Sequence, residues 1–176
     1  VIGTSNFWMN SVVLRLAVLA WIPIALGVGG DVASYYMGAS AVGIMIGAVL
    51  APKIIPLHKL SLLLYMGAGL AGCLVFFALF PHAILSGVFL FLLGLCGGMF
   101  QVPLNTTLQQ TGNEVGSGKI IAIQNFFENI CMLGGTLLYT GALKMEVDIP
   151  IIMIGFAIIF VSVSTYVSRS YKAMNM

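Results

Sequence analysis

Long apolar stretches fill nearly the whole chain, and short connections containing glycine, proline or charged residues separate them. Each stretch is about 20 residues long, the length of α-helix that crosses the hydrocarbon core of a bilayer. Helices satisfy their own backbone hydrogen bonds in lipid, and the sequence lacks the alternating pattern of membrane β-barrel strands. We therefore predict an all-α integral membrane protein, a bundle of six transmembrane helices with spans near 5–26, 33–51, 60–80, 83–108, 118–143 and 149–168.

The composition excludes a soluble domain. The chain is 60% hydrophobic and 7% charged, against about 25% charged residues in typical soluble proteins. The sequence has no basic patch of the kind that binds nucleic acid. Cys73, Cys96 and Cys131 lie singly within apolar stretches, and His58 and His82 stand alone in connections, so we expect no cofactor and no metal site. No arrangement typical of a catalytic nucleophile occurs, and we predict that the chain is not an enzyme.

The distribution of basic residues predicts the orientation in the membrane. Cytoplasmic connections carry an excess of lysine and arginine. One side of the predicted bundle carries Lys53, Lys59, Lys119, Arg169 and Lys172, and the other carries Lys144 with Asp31, Glu146 and Asp148. We expect both ends of the chain on the cytoplasmic side. Because the chain begins at Val1 with an interior apolar stretch, we also expect it to be a fragment of a longer protein.

Glycines recur at a four-residue spacing in two of the spans. Gly43 and Gly47 lie in the second span, and Gly94 and Gly98 lie in the fourth, with Gly97 beside them. Small residues at this spacing let helix backbones approach closely within a membrane. The pattern indicates either a static packing seam or an interface that slides during transport.

Two opposite charges are predicted near the middle of the membrane. Arg15 and Glu128 each lie about ten residues into a span that enters from the cytoplasmic side, so we expect them at the same depth, ~15 Å from the span start. A charge in hydrocarbon costs about 2.5 to 3.5 kcal/mol, which favours pairing of the two side chains. The pair is interpreted either as a binding site or as a clamp between two helices.

Polar side chains extend this site along three spans. Gln124, Asn125 and Asn129 share with Glu128 an arc of about 140° on the fifth span. The other polar positions are Gln101, Asn105 and Gln109 on the fourth span, near Pro103, and Asn6, Asn10 and Ser11 on the first. Three polar helix faces predict a shared internal cavity, with a polar seam used only for helix adhesion as the alternative.

Three segments resemble the C-terminal half of bacterial lysophospholipid transporters of the major facilitator superfamily. They are LAVLAWIPIALG at 16–27, FQVPLNTTLQQ at 100–110 and GSGKIIAIQNFFEN at 116–129. The likeness extends over essentially the whole chain. The charged loop signature of the superfamily is present only in degenerate form, between Pro52-Lys53 and His58-Lys59, without its acidic residue.

The resemblance implies that these spans are helices seven to twelve of a twelve-helix protein of the bacterial inner membrane, with an N-terminal six-helix half as partner. It implies that the cargo is a lysophospholipid, chiefly lysophosphatidylethanolamine, moved from the outer to the inner leaflet, and that a cytoplasmic acyltransferase then restores the second chain. Arg15 is expected to bind the phosphate and Glu128 to face the ammonium. The rest of the expected substrate-binding set is Gln124, Asn125, Asn129, Asn105 and Gln101.

Two other classes of protein fit the same residues. A drug exporter of the superfamily or a proton-coupled solute carrier would use Glu128 to carry a proton. A structural membrane subunit that transports nothing would use the polar faces only for packing. Uptake of lysophospholipid separates these classes.

Overall fold

The computed structural model describes residues 1–55, 62–112 and 116–174 and contains six α-helices in that part of the chain. The fold class is confirmed, since all six are long and apolar enough to cross a membrane and no strand occurs among the described residues. The first residues of the predicted third span, and His58 and Lys59, lie outside the described ranges. The helices are α1 (Ile2–Leu26), α2 (Gly30–Ile54), α3 (Leu62–Leu79), α4 (Ala83–Thr111), α5 (Ser117–Lys144) and α6 (Ile149–Met174).

The connections between consecutive helices are short, and their sequences explain where the helices end. Gly27 follows α1 with a φ of 63°, a left-handed conformation that glycine adopts without steric strain. The hydroxyl of Tyr36 in α2 donates a hydrogen bond to the carbonyl of Ala83 over 3.0 Å. This bond joins the second turn of α2 to the first residue of α4 at the same end of the bundle.

Packing divides the six helices unequally. α2 packs most extensively against α4, α3 lies between α4 and α6, and α1 packs mainly on α5, with further contacts to α6 and α2. α5 touches α4 and α6 only slightly. The core joins α1, α4 and α6 through three aromatic rings. Phe100 stacks on Phe7 with 6.3 Å between ring centroids, and it meets Phe160 in a tilted arrangement at 5.2 Å. α5 is therefore held to the bundle chiefly through α1.

The glycine spacing in α2 and α4 corresponds to a seam where the two backbones touch. A Cβ atom added at Gly43, Gly47, Gly94 or Gly98 would meet a backbone carbonyl of the facing helix at less than normal contact distance. Gly97 is not part of this seam, because a Cβ atom added there would meet the ring of Phe7 in α1. The close packing predicted from the spacing is therefore present, and this approach explains why no larger residue occupies the four positions.

The outer surface of the bundle is apolar. Large hydrophobic side chains that are more than half exposed occur on all six helices, namely Ile24, Val49, Tyr65, Ile84, Leu133 and Ile158 among others. In water such a surface would favour aggregation, whereas hydrocarbon solvates it without penalty. The surface chemistry thus agrees with a multi-pass membrane protein.

Candidate functional site

A largely buried cluster of polar side chains joins α4 to α5. The side-chain nitrogen of Gln124 donates one hydrogen bond to Asn105 Oδ1 over 2.8 Å and another to Glu128 Oε1 over 2.7 Å. Gln124 and Glu128 are buried, and they lie one turn apart on the same face of α5. The structure therefore brings together three of the residues expected to bind substrate, inside helices that cross the membrane.

Gln101 lies one turn from Asn105 on α4 and is also buried. Neither atom of its side-chain amide has a hydrogen-bond partner within the described residues. A buried polar group left without a partner costs about 1 to 3 kcal/mol. An amide that retains both a free donor and a free acceptor at this position is suited to bind a polar ligand.

The polar residues of α1 mostly bond within the bundle. The side-chain nitrogen of Asn6 donates to the carbonyl of Phe160 in α6 over 3.3 Å, and that of Asn10 donates to the carbonyl of Asn6 over 2.9 Å. The side-chain oxygen of Asn10 has no hydrogen-bond partner in the described part of the chain, and Asn10 lines a cavity of about 30 Å³ with Ser11 and Ser40. This volume is on the scale of a single water molecule.

Arg15 and Glu128 do not form the predicted ion pair, because they lie at different levels of the bundle. Gly135 of α5 packs against Met9 and Val13 of α1. On α5, Glu128 lies seven residues before Gly135. On α1, Arg15 lies two residues beyond Val13 and six beyond Met9. At 1.5 Å per residue, Glu128 and Arg15 are therefore offset by ~15 Å along the two parallel helices. Arg15 is exposed and makes no ion pair within the part of the chain that the structure describes.

The prediction of equal depth is wrong for a specific reason. It assumes that the two apolar stretches start at the same membrane level. In the structure Val1 and Ile2, at the start of α1, lie beside Phe127 and Cys131, which are already three to four turns into α5. The two helices run parallel but are staggered, so equal residue counts along them do not mean equal depth.

The predicted polar arc of α5 is divided between two environments. Gln124 and Glu128 face the interior, whereas Asn125 and Asn129 are exposed on the outside of the six-helix bundle. The side-chain nitrogen of Asn129 donates to the carbonyl of Asn125 over 2.7 Å, one turn back on the same helix. Within these six helices the arc is therefore divided, and the expectation that all four residues face one interior stays a prediction.

One buried polar residue near this site was not singled out from the sequence. Ser5 of α1 is buried, and its hydroxyl has no partner among the described residues. A serine in an apolar helix is common and bonds most often to its own backbone, so the sequence carries no signal that distinguishes this one.

Fold and site together define a multi-pass α-helical membrane protein with a polar cluster enclosed in its apolar bundle. The chain is homologous to bacterial proteins named lysophospholipid transporter LplT. The chain is 39% identical to the protein of Cronobacter sakazakii across 84% of the chain. Across 90% of the chain it is 40% identical to the protein of Enterobacter sp. and 37% identical to that of Escherichia fergusonii. The resemblance identified from the residues is confirmed.

The chain spans about two fifths of the length of these relatives, between 38% and 41%. The relatives are named as transporters, which agrees with the prediction that the chain is not an enzyme. No family model matches the chain, and no solved structure matches it.

Proposed function

We propose that these six helices form the C-terminal half of a twelve-helix lysophospholipid transporter of the major facilitator superfamily. The protein would move lysophosphatidylethanolamine and similar lipids from the outer to the inner leaflet of the bacterial inner membrane, with both ends of this half in the cytoplasm. The observation that carries the proposal is a polar cluster in membrane-spanning helices of a chain homologous to named lysophospholipid transporters. It consists of the buried Gln124 and Glu128 and the half-buried Asn105.

The chemistry of the cluster suits a lipid head group. Glu128 supplies the negative charge that an ammonium group requires, and its hydrogen bond from Gln124 stabilises the carboxylate in this orientation. Gln101 and Asn105 add amide groups on the facing helix. Such groups bind head-group oxygens, and burial strengthens each of these contacts.

Arg15 belongs to a second binding position in this proposal. Its guanidinium has the donor geometry that phosphate recognition uses. Because ~15 Å separates Arg15 from Glu128 along the helices, one compact head group contacts them in succession rather than together. The lipid would meet Arg15 at one stage of the transport cycle and the Glu128 cluster at another.

The N-terminal half would cover the exposed polar side chains. Arg15, Asn125 and Asn129 are exposed on membrane-spanning helices, and lipid does not solvate charges and amides. A second six-helix bundle facing them would enclose a polar passage between the two halves, as in transporters built from paired repeats. The cytoplasmic acyltransferase step would follow release of the lipid.

Uptake of radiolabelled lysophosphatidylethanolamine into vesicles containing the full-length protein tests the proposal. We expect Arg15→Ala, Arg15→Lys and Glu128→Gln to lose most uptake while inserting normally. Lys144→Ala and Glu146→Gln are the matched controls, because both side chains are exposed near the end of α5. Wild-type vesicles that take up no lysophospholipid would refute the function, and normal uptake by the Arg15 and Glu128 variants would refute the site.

A proton-coupled carrier is the second candidate function. It is favoured by one observation: Glu128 is a buried carboxyl group whose hydrogen-bond donor is a neutral amide, that of Gln124. Uptake that requires a proton gradient in the wild type, and no longer responds to it in Glu128→Gln, would support this candidate. Uptake with no dependence on pH would exclude it.

A further inference from the structure

The hydrogen bonds of the Glu128 cluster have a fixed direction. A carboxylate oxygen only accepts hydrogen bonds, so the Gln124 atom beside Glu128 is the amide nitrogen and not the amide oxygen. That nitrogen carries two hydrogens and uses both, one toward Glu128 Oε1 over 2.7 Å and one toward Asn105 Oδ1 over 2.8 Å. The carboxylate of Glu128 therefore determines how the amide of Asn105, on the facing helix, is turned.

This direction leaves the amide nitrogen of Asn105 free. The oxygen of this amide is held by Gln124, whereas the nitrogen has two hydrogens and no hydrogen-bond partner among the described residues. Asn105 is only half-buried, and its nitrogen is not one of the polar atoms that the described protein encloses without a partner. Asn105 thus presents a reachable donor, and not an acceptor, to a ligand beside the cluster.

The second carboxylate oxygen of Glu128 is free in the same way. Glu128 Oε1 accepts the hydrogen bond from Gln124, whereas Oε2 has no partner within the described ranges and is not enclosed. Because α4 and α5 touch only slightly, the cluster bridges a gap between the two helices. The site therefore combines a negative acceptor on α5 with a neutral donor on α4.

The donor and the acceptor are close enough for one small head group. The two hydrogens of a planar amide nitrogen point about 120° apart, so Glu128 Oε1 and Asn105 Oδ1, which share the Gln124 nitrogen, lie ~5 Å apart. Four single bonds of about 1.5 Å each join the phosphorus and the nitrogen of a phosphoethanolamine, which places them ~4 to 5 Å apart. A single phosphoethanolamine group therefore reaches both side chains.

We propose that the amide nitrogen of Asn105 binds a phosphate oxygen of the lysophospholipid while Glu128 binds the ammonium of the same head group, and that Gln124 holds both side chains in this arrangement. The assignment rests on the proposed function and extends it, because it gives the phosphate a neutral donor at this position. Arg15 lies ~15 Å away along the helices and is too distant to bind this phosphate at the same time. The ligand class is a zwitterion whose opposite charges are a few bonds apart.

A water molecule is the alternative occupant of the site. Water also accepts a hydrogen bond from an amide and donates one to a carboxylate. However, Glu128 is buried in a membrane-spanning helix, and no lysine or arginine side chain pairs with it in the part of the chain that the structure describes. A buried charge is costly unless an opposite charge accompanies it. The ammonium of a ligand supplies that charge, and water does not.

Solid-state NMR of the full-length protein measures the proposed contact directly. The protein carries ¹⁵N in its asparagine side chains and is held in a maltoside detergent, so that bound lysophosphatidylethanolamine is the only source of ³¹P. The Asn105 signal is the one missing from the lipid-free spectra of both Asn105→Asp and Asn105→Ser. In the wild type we expect ³¹P to dephase this signal at ~3.5 to 4 Å, the distance set by one hydrogen bond and one P–O bond.

Asn10 provides the internal control for this measurement. Its amide nitrogen already donates to the carbonyl of Asn6 over 2.9 Å, so its signal, assigned with Asn10→Asp, should show no dephasing. Bound lipid without dephasing at Asn105 would overturn the proposal and leave water as the occupant. A wild-type protein that neither binds nor takes up the lipid would instead refute the proposed function, and this result is distinct from failure of the Asn105 contact.

Asn105→Asp and Gln109→Glu form a matched pair for uptake. Asn105→Asp keeps an oxygen for Gln124 but replaces the free donor by a negative acceptor, whereas Gln109→Glu makes the same change one turn along α4 at an exposed position. We expect Asn105→Asp to lower initial uptake of lysophosphatidylethanolamine at least about tenfold, since repulsion replaces a hydrogen bond to a charged group. Gln109→Glu should change it less than about twofold, because an exposed charge is screened. Equal uptake by two folded variants would contradict the assignment.

Discussion

Replacing Gly94 by alanine adds one methyl group where α4 lies against the backbone of α2. The new Cβ would meet the carbonyl oxygen of Ser40, with the carbonyl carbon at 2.9 Å and the amide nitrogen of Ile44 at 3.1 Å. All three atoms belong to a helix backbone, so no side-chain rotation relieves the contact. The two helices must separate locally to accept the substitution.

The size of the effect follows from this geometry. Ordinary van der Waals contact begins near 3.4 Å, so relieving the contact with the carbonyl oxygen of Ser40, the nearest atom, requires the backbone of α2 to retreat by more than the ~0.5 Å that its carbonyl carbon alone needs. Overpacking of this kind costs about 1 to 3 kcal/mol, and the seam continues through Gly43, Gly47 and Gly98. The strain exceeds the gain of up to ~1 kcal/mol that alanine brings to a helix interior. We expect a net loss of stability from Gly94→Ala.

Gly134→Ala is the matched control, because a Cβ at Gly134 in α5 meets no atom within 4 Å. Thermal unfolding of both variants in detergent, followed by tryptophan fluorescence, measures the difference. We expect Gly94→Ala to unfold several degrees below Gly134→Ala, at ~2 to 4 °C per kcal/mol. Equal transitions would show that the close approach of α2 and α4 is not a constraint. Uptake measured well below the transition then separates a static seam, which keeps activity, from a sliding one, which loses it.

Two further predictions concern the polar residues. Spin labels attached to Arg15→Cys and Glu128→Cys should be separated mainly by the ~15 Å offset between the two helices when their distance is measured by electron paramagnetic resonance. A distance close to direct contact would refute the stagger. Gln101→Leu should leave thermal stability unchanged or raised, because it removes an unpartnered buried amide, whereas Gln124→Leu should lower it by about 1 to 3 kcal/mol through loss of the bonds to Asn105 and Glu128. Similar melting temperatures for these two variants would contradict the hydrogen-bond assignment.

The sequence by itself determines the six helices, because the length and apolarity of each segment are properties of that segment alone. The predicted ends agree with the structure to within a few residues at most boundaries; the largest difference is at α6, which continues to Met174 instead of ending near residue 168. The glycine spacing likewise identifies α2 and α4 as helices with a close-packing face, since a missing side chain is visible in the sequence.

Only the tertiary structure decides how the helices are placed against each other. The stagger between α1 and α5 depends on which residues pack against each other, here Gly135 against Met9 and Val13. The periodicity of a helical sequence does not specify how far one helix is shifted along another. The same placement turns Glu128 inward and Asn129 outward, although both belong to one polar arc. The sequence therefore identifies which membrane-embedded residues are polar, whereas their hydrogen-bond partners depend on the relative translation and rotation of the packed helices.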